Sequence, residues 1–257
     1  MISRPTASKR ILCYKLGSYL LFSLAHLIIF RAYIELIGTS ESFSSFSLRS
    51  NKPFRVEGKR IDFLKNICSE ENLRSAVEVG VKQGYFSEVI LSSCSTITDF
   101  TGVDLWATQK SYDDSANVAQ TDQNSYFEES KTRLAKFEGR WRLVKGDSLA
   151  VSTTFPDSSI DFIYLDARHD YRSVIDDIAA WAPKVRPGGI LAGHDFLDLD
   201  EYSEDAWRQY KDGTISHTTK AVRSAVTEFA ARTNRQVVVT YNDLWQGKPF
   251  PSWFIRM

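Results

Sequence analysis

The stretch Ala76-Val-Glu-Val-Gly-Val-Lys-Gln-Gly-Tyr-Phe-Ser-Glu88 decides the fold of this chain. It begins as a short apolar run that carries one acid, Glu78, and Gly80 and Gly84 interrupt it before the amphipathic run Tyr85–Leu91. A buried strand, a glycine turn and a helix are typical of a nucleotide-type cofactor site in a doubly wound sheet. The spacing E-x-G-x-x-x-G differs from the G-x-G-x-x-G pattern that holds a pyrophosphate. The turn therefore favours a cofactor without a phosphate.

Length, composition and charge limit the possible classes of protein. The 257 residues suffice for one sizeable α/β domain with an additional segment, and 43% of them are hydrophobic, which is enough for a core. Lys and Arg together number 32, as do Asp and Glu, so nothing in the charge indicates a nucleic-acid partner. Cys13, Cys68 and Cys94 are scattered and lack metal-ligand spacing, which predicts neither a disulfide framework nor a zinc site.

Residues 1–38 form an N-terminal apolar segment that we expect to be helical. Basic residues precede its apolar part, 11–38, whose longest uncharged run, Leu16–Phe30, is about 15 residues long and falls short of the ~20 that a bilayer core needs. We expect residues 11–38 to anchor the protein to a membrane, in preference to a cytoplasmic location. A helix lying on the domain and a cleaved signal sequence are the alternatives.

Residues 39–59 are rich in serine and predict a linker, and residues 60–257 predict one domain. In that domain helical and strand-like runs alternate, which is typical of an α/β fold: a doubly wound, mostly parallel, seven-stranded sheet covered on both faces. The expected strands are Ser75–Val79, Phe100–Leu105, Trp141–Lys145, Ile160–Leu165, Gly189–Gly193, Gln236–Tyr241 and Trp253–Arg256. The expected helices are Ile61–Cys68, Phe86–Ser92, Val174–Val185 and Ala221–Thr233, the last with Thr218 or Thr219 as its N-cap.

Acids stand in or directly after each of the first five predicted strands. They are Glu78, Asp104, Asp147, Asp166 and Asp195. Because ligands of such sheets bind at the carboxyl ends of the strands, these acids should meet along one edge. Single acids in such positions are often caps or turn residues, but five in succession favour a functional edge.

Two further runs, Ile160-Asp-Phe-Ile-Tyr-Leu-Asp-Ala-Arg-His-Asp-Tyr171 and Trp181-Ala-Pro-Lys-Val-Arg-Pro-Gly-Gly-Ile-Leu-Ala-Gly-His-Asp-Phe196, resemble motifs of the class I S-adenosylmethionine-dependent methyltransferases, which have a Rossmann-like fold. The resemblance extends over nearly all of residues 61–257. Within that family the two runs are similar to the small-molecule O-methyltransferase branch, which includes catechol-type and antibiotic-sugar enzymes. The ending Phe250–Arg256 looks like the final strand of that branch. The resemblance implies an enzyme that methylates a hydroxyl of a small molecule or sugar.

The resemblance also implies which residues bind S-adenosylmethionine. They are Glu78, Gly80, Gly84, Asp104, Trp106, Asp147 and Ser148. Asp104 resembles the acid that accepts both ribose hydroxyls, which suits a carboxylate because it accepts two hydrogen bonds at once. Trp106 would offer an apolar face near the adenine, and Asp147, with Ser148, would bind the adenine amino group; a helix N-cap is the alternative for Asp147. The glycines would pack along the methionine part, and Glu78 would orient the turn or the amino-acid group.

The strand ends also suggest a cation and a base. Asp166 and Asp195 can bind Mg²⁺ or another divalent cation through oxygen, with His194 as a further ligand, and such a cation lowers the pKa of a bound hydroxyl. In the catechol-type pattern a catalytic lysine stands three residues after the metal aspartate. His169 takes that position here and is the predicted base, alongside Asp166 as a catalytic residue. A metal-free hydrogen-bonding pair of Asp166 and Asp195 is the alternative to the cation, and His169 could instead cap the loop or pair with Asp170 or Asp195.

The acceptor is expected to be a small molecule bound under the insert Leu197–Thr219, whose acidity favours a hydroxylated or basic compound over an anionic one. Lys110–Lys136 is a second candidate cover, and Phe196 and Trp207 are candidate pocket walls. Two other functions are compatible with these residues. One is a hydroxylase-like enzyme with iron held by Asp166, His169 and Asp195. The other is a non-catalytic module that binds the cofactor or a glycan. The sequence does not define the oligomeric state.

Overall fold

The computed structural model describes residues 54–56, 58–202, 204–241, 244–245 and 248–257. The predicted apolar segment 1–38 and most of the predicted linker 39–59 therefore lie outside the described residues. Within these ranges no helix combines the length and the hydropathy that crossing a membrane requires.

The domain is built on one mixed sheet. Its strands are β1 (Phe54–Val56), β2 (Ser75–Val79), β3 (Asp99–Asp104), β4 (Trp141–Lys145), β5 (Ile160–Leu165), β6 (Val185–Gly193), β7 (Val237–Thr240) and β10 (Trp253–Arg256), while β8 (Leu244–Trp245) and β9 (Lys248–Pro249) pair separately. The order across the sheet is β1-β7-β10-β6-β5-β2-β3-β4, and β10 runs antiparallel to both of its neighbours. The seven predicted strands are thus confirmed. Within the range predicted as a linker, β1 adds an eighth at the edge, parallel to β7.

Six helices flank the sheet in the described part of the chain. They are α1 (Arg60–Glu70), α2 (Tyr85–Ser93), α3 (Gln120–Leu134), α4 (Ser148–Ser152), α5 (Tyr171–Trp181) and α6 (Val222–Arg232). The predicted helix Val174–Val185 ends earlier, because a short 3₁₀ turn containing Pro183 follows α5 and Val185 already begins β6. The predicted N-cap of the last helix is wrong: Ala221 precedes α6, and the carboxylate of Asp198 accepts hydrogen bonds from the backbone of Ala221 and Ser224.

The central strands are buried on both faces, as expected for parallel strands covered by helices. All six residues of β5 are buried, and β5 lies between β2 and β6. The register pairs Val79 with Leu165 and Leu165 with Gly193, so that β2, β5 and β6 end side by side. The loops that follow these strands therefore begin at the same edge.

A disulfide joins Cys68 in α1 to Cys94, the residue after α2, with their Cα atoms 5.1 Å apart. The spacing of the cysteines predicted no disulfide, and this pair corrects that prediction. The 26-residue separation carries no signal by itself. The two cysteines meet because α1 and α2 pack against each other, and only the tertiary structure shows that contact.

Gly80, directly after β2, provides a test of the tight packing at this edge. Its φ is +91°, and a Cβ placed there would lie 1.8 Å from the backbone oxygen of Asp166. Gly139 has a comparable φ of +75° but nothing within 4 Å of such a Cβ, so it controls for backbone strain alone. We expect Gly139→Ala to lower the free energy of unfolding in urea by about 1–2 kcal/mol. Gly80→Ala should lower it by clearly more, and equal losses would contradict the close approach.

Candidate active site

The carboxylate of Asp104, the last residue of β3, organises the glycine turn. Its Oδ2 atom accepts hydrogen bonds from the backbone N–H of Val81 at 2.9 Å and of Lys82 at 2.8 Å. Its Oδ1 atom accepts one from the backbone N–H of Trp106 at 2.8 Å. A carboxylate offers about four acceptor positions, so three are taken by the protein and about one remains for a ligand. Asp104 thus holds the turn in shape and still presents an oxygen at the predicted cofactor site.

Trp106 lies beneath the glycine turn. Only 1% of it is exposed, its ring contacts Phe127 edge-on at 4.8 Å, and its indole N–H donates to the backbone oxygen of Lys82 at 2.8 Å. Lys82 and Trp106 both have positive φ values, 53° and 39°, which are uncommon outside glycine. The ring therefore supports the turn from below, and it does not present the open face that we expected near an adenine.

Glu78 is buried in β2, where it accepts a short hydrogen bond from the hydroxyl of Ser87. Burial raises the pKa of Glu78 to about 8, against the lowering effects of Ser87 and Arg60. The side chain is therefore predominantly protonated at neutral pH. It lies under the turn and next to α2, which is consistent with orienting the turn. Nearby, Gly84 begins α2 and packs closely on Ser130 of α3.

Asp147 caps a helix with one oxygen and leaves the other outward. Oδ1 accepts hydrogen bonds from the backbone N–H of Leu149 and Ala150, which is the N-cap alternative named above. Oδ2 lies 3.5 Å from Nζ of Lys211. The cap does not exclude a ligand, because the Asp147 side chain is 43% exposed and follows β4 at the edge where Asp104 ends β3.

Ser148 is used inside the protein. Its hydroxyl donates to Asp177 at 2.5 Å and accepts from the indole N–H of Trp181 at 2.8 Å. Burial raises the pKa of Asp177 to about 6, while the bond from Ser148 opposes that shift. The Ser148 side chain is thus used within the protein, and only the backbone of Ser148 is available to contact a cofactor.

Asp166, His169 and Asp195 form a cluster at the ends of β5 and β6. One nitrogen or oxygen from each lies within 4.8 Å of the other two, which suits a metal ion. His169 Nε2 is 2.8 Å from Asp195 Oδ2 and 3.6 Å from Asp166 Oδ1. This nitrogen is buried, yet it makes no well-directed hydrogen bond with any part of the chain that the structure describes. Asp195 has a φ of 55°, an uncommon left-handed conformation that its surroundings must maintain.

His194 stands next to this cluster and contacts it through Nδ1, which is 2.9 Å from Asp195 Oδ1 and 3.9 Å from Asp166 Oδ2. Its other nitrogen is buried without a hydrogen-bond partner among the described residues. The sequence predicted His194 as the metal ligand and His169 as the base. The structure brings His169 closer to both aspartates.

The pKa values in the cluster shift in opposite directions. Burial opposes protonation of His169, but Tyr112, Asp195 and Asp166 outweigh it and hold the pKa of His169 well above its ordinary value. The pKa of His194 is raised in the same way by Asp195 and Asp166. Burial alone would raise the pKa of Asp195, yet the two imidazoles lower it strongly. Imidazolium and carboxylate charges therefore stabilise one another here.

Two loops bring residues to His169 that the sequence analysis missed or placed only approximately. The Tyr112 hydroxyl lies 3.4 Å and Asp114 Oδ2 3.8 Å from His169 Nδ1. Trp207 stacks on the imidazole with ring centroids 4.9 Å apart. Tyr112 and Asp114 carry no signal in the sequence because their loop has no regular period. Phe196, the other predicted wall, is buried in the main core instead.

Three acids of the insert Leu197–Thr219 form ion pairs with one arginine of α6. Arg223 pairs with Asp198 at 3.2 Å, with Asp200 at 3.2 Å and with Glu201 at 2.6 Å. These acids hold the insert to α6. The charge of these three acids is therefore compensated, and Glu204 and Asp205 are the acids of the insert on which the expected preference for a basic or hydroxylated acceptor still depends.

Residues 77–196 match the family model described as a methyltransferase domain. This part of the chain is a methyltransferase domain. The match includes the glycine turn and all five strand ends that carry the predicted acids, from Glu78 to Asp195. It confirms the enzyme class expected from the sequence, a methyltransferase that uses S-adenosylmethionine. No curated protein sequence matches the chain.

Solved structures share the fold of this domain. A putative caffeoyl-CoA O-methyltransferase from Staphylococcus aureus is similar with a TM-score of 0.52 and 14% identity, over 93% of this chain and 98% of that chain. An O-methyltransferase from Bacillus cereus in complex with SAH gives a TM-score of 0.55 and 15% identity, over 82% and 84%. The O-methyltransferase TomG from Streptomyces achromogenes, in complex with SAM, gives 0.52 and 13%, over 77% and 79%. At these identities the similarity shows the shared fold.

The buried Glu78 makes the stability of the domain depend on pH. Its pKa rises from 4.5 to about 8 on folding, so in that window the folded state retains a proton that the unfolded state loses, and stability falls as the pH rises. Glu78→Gln removes the titrating group and with it this loss of stability at higher pH. The gain of the variant over the wild type should grow from pH 5 to pH 8, by at most about 1.4 kcal/mol per pH unit.

Urea unfolding at several pH values measures this gain. The exposed Glu138→Gln variant is the control and should follow the wild type. A gain for Glu78→Gln that does not change with pH would show that Glu78 is ionised in the folded protein.

Proposed function

We propose that the domain transfers the methyl group of S-adenosylmethionine to a hydroxyl of a small molecule, with a divalent cation held by Asp166, His169 and Asp195. One observation carries the proposal: the glycine turn and the cluster adjoin. The backbone of Gly80 packs on the backbone of Asp166, and the Asp166 N–H donates to Val79 at 2.7 Å. A cofactor along the turn would therefore end next to the cluster.

The cofactor would extend along the carboxyl ends of β2, β3 and β4. Asp104 and Asp147 follow neighbouring strands, since Asp104 pairs with Lys145 in the register of β3 and β4. The remaining acceptor position of Asp104 suits a ribose hydroxyl, and the outer oxygen of Asp147 suits the adenine amino group. Lys211 lies at Asp147 and would have to move aside or pair elsewhere.

When bound, S-adenosylmethionine supplies a methyl group on a positively charged sulfur. In the proposed transfer the C–S bond would break as the new C–O bond forms, the acceptor hydroxyl would pass its proton to a carboxylate oxygen of the partly exposed Asp166, and the products would be a methyl ether and S-adenosylhomocysteine. The protein must align the acceptor oxygen with the C–S bond, keep water out and take up the proton. Tyr112 and Trp207 are both buried beside His169 and would keep water out of this part of the site.

The donor set of the cluster fits a divalent cation. Two carboxylate oxygens and one imidazole nitrogen converge, and the buried Nε2 of His169 makes no well-directed hydrogen bond among the described residues. A cation there would lower the pKa of an acceptor hydroxyl. The imidazole favours a transition metal over Mg²⁺. As a ligand through Nε2, His169 cannot also take the acceptor proton there, and its Nδ1 faces Tyr112. We therefore assign His169 the role of a ligand in place of the base predicted from the sequence.

Asp147 tests the proposed position of the cofactor. Asn retains the helix cap through its side-chain oxygen, but it turns an NH₂ group towards the place proposed for the adenine amino group. We expect Asp147→Asn to weaken S-adenosylhomocysteine binding by about tenfold or more in calorimetric titration. Asp157→Asn, at an exposed ion pair with Lys184, should bind as the wild type does. Unchanged affinity in Asp147→Asn would remove Asp147 from the site.

Binding of Mn²⁺, followed by electron paramagnetic resonance, tests the cation site. Asp166→Asn and His169→Gln should each weaken it by about a hundredfold, because residues that bind the cation directly contribute more than the residues around them. His217→Gln, at an exposed histidine, is the matched control and should leave it unchanged. Full methyl transfer after chelation would contradict the role of the cation, and iron-dependent oxygen uptake would favour the hydroxylase-like alternative.

A further inference from the structure

Arg168 is a buried cation between two residues of the cluster in sequence, and no step above uses it. Only 6% of it is exposed. Its Nε donates to Asp170 at 2.8 Å, and Asp170, also buried, caps α5 through the N–H of Ser173. The ion pair is thus fixed to the start of α5. The rest of the guanidinium is directed at two loops, and five donors in a rigid fork suit it to hold several groups at once.

The first loop, 105–119, joins β3 to α3. Arg168 Nη1 donates to the side-chain oxygen of Gln109 at 3.3 Å, and its guanidinium lies 3.9 Å from the centre of the Tyr112 ring. Asn117 ties this loop together, since its amide donates to the backbone oxygens of Gln109 and Tyr112. The hydrogen bond from Arg168 to Gln109 therefore also fixes the position of Tyr112.

The second loop, 194–221, joins β6 to α6 and is described except for residue 203. Arg168 Nη2 donates to the backbone oxygen of Gln209. The side chain of Gln209 crosses to the first loop, where it accepts from the backbone N–H of Asp113 and donates to its carboxylate, both at 2.8 Å. The two loops are thus joined to Arg168 and to each other.

The contacts of Arg168 lie next to the residues that touch His169. Gln109 stands three residues before Tyr112, which faces His169 Nδ1, and Gln209 stands two residues after Trp207, which stacks on the imidazole. We propose that Arg168 is a positioning residue that fastens both loops as one cover and so sets Tyr112 and Trp207 against His169. As a statement about the acceptor side of the site, this inference rests on the proposed function.

Hydrogen exchange with mass spectrometry of the full chain tests the joint cover. Arg168→Lys keeps the charge but loses the fork. The double variant Arg168→Met with Asp170→Asn removes both charges, leaves no unpaired buried ion and keeps a residue that can cap α5. In both variants we expect amides of both loops to exchange about tenfold faster or more, while β5 stays within about twofold of the wild type.

Two controls separate positioning from general stability. Arg208→Ala removes a contact within the second loop only, to Thr218, and should leave exchange in the first loop unchanged. In ¹⁵N-histidine spectra, Arg168→Lys should shift the imidazole signals of His169 and spare those of the exposed His217. Faster exchange in only one loop, or unchanged signals from His169, would overturn the inference.

Titration with S-adenosylhomocysteine keeps the two proposals apart. Arg168→Lys should bind it with the affinity of the wild type, because the guanidinium holds the acceptor side. Weaker binding in this variant would show that Arg168 supports the whole domain, and the inference would fail. If the wild type itself binds none, the proposed function fails, while faster exchange in both loops would still show that Arg168 joins them.

Discussion

The close approach of two backbones, at Gly80 after β2 and at Asp166 after β5, is the constraint on which the rest of the site depends. Any side chain at Gly80 would collide with the carbonyl group of Asp166. Because the strands end together, the turn held by Asp104 and the cluster that begins at Asp166 share one short stretch of edge. The glycine is therefore needed less for a flexible turn than for bringing a cofactor loop and a donor cluster into contact.

The charges of the cluster explain how it can be stable with or without a cation. Asp195 is buried between His169 and His194, whose raised pKa values place positive charge on both sides of it. A divalent cation would provide the same compensation, and protons would leave the imidazoles as it binds. Glu78, buried nearby and predominantly protonated at neutral pH, adds little negative charge to this balance. The domain thus avoids an uncompensated buried ion in either state.

Much of the fold was predictable because its central strands are buried on both faces and so give uninterrupted apolar runs, as in β5. The helix α3 was not predicted, since only Gln123, Ser130 and Leu134 are buried in its 15 residues and no apolar period results. Of the site, the acids at the strand ends could be predicted from their positions alone. The hydrogen bonds of Asp104 and the contacts of His169 could not be predicted, because their partners come from loops whose conformation depends on tertiary contacts. For the same reason the role of Tyr112 could not be predicted from its position in the chain.

The chemistry around His169 also bears on how an acceptor is selected. Three acids of the second loop, Asp198, Asp200 and Glu201, pair with Arg223 on α6, so these three bring little net charge to the acceptor side. From the two loops, the rings of Tyr112 and Trp207 and the carboxylate of Asp114 approach His169, and Tyr202 packs on Trp207 at 5.2 Å. Aromatic surfaces discriminate by shape and stacking, and they add polar contacts only at their hydroxyl and N–H groups. We therefore expect the shape of the acceptor next to its hydroxyl group to contribute to its selection, because two aromatic rings stand beside His169.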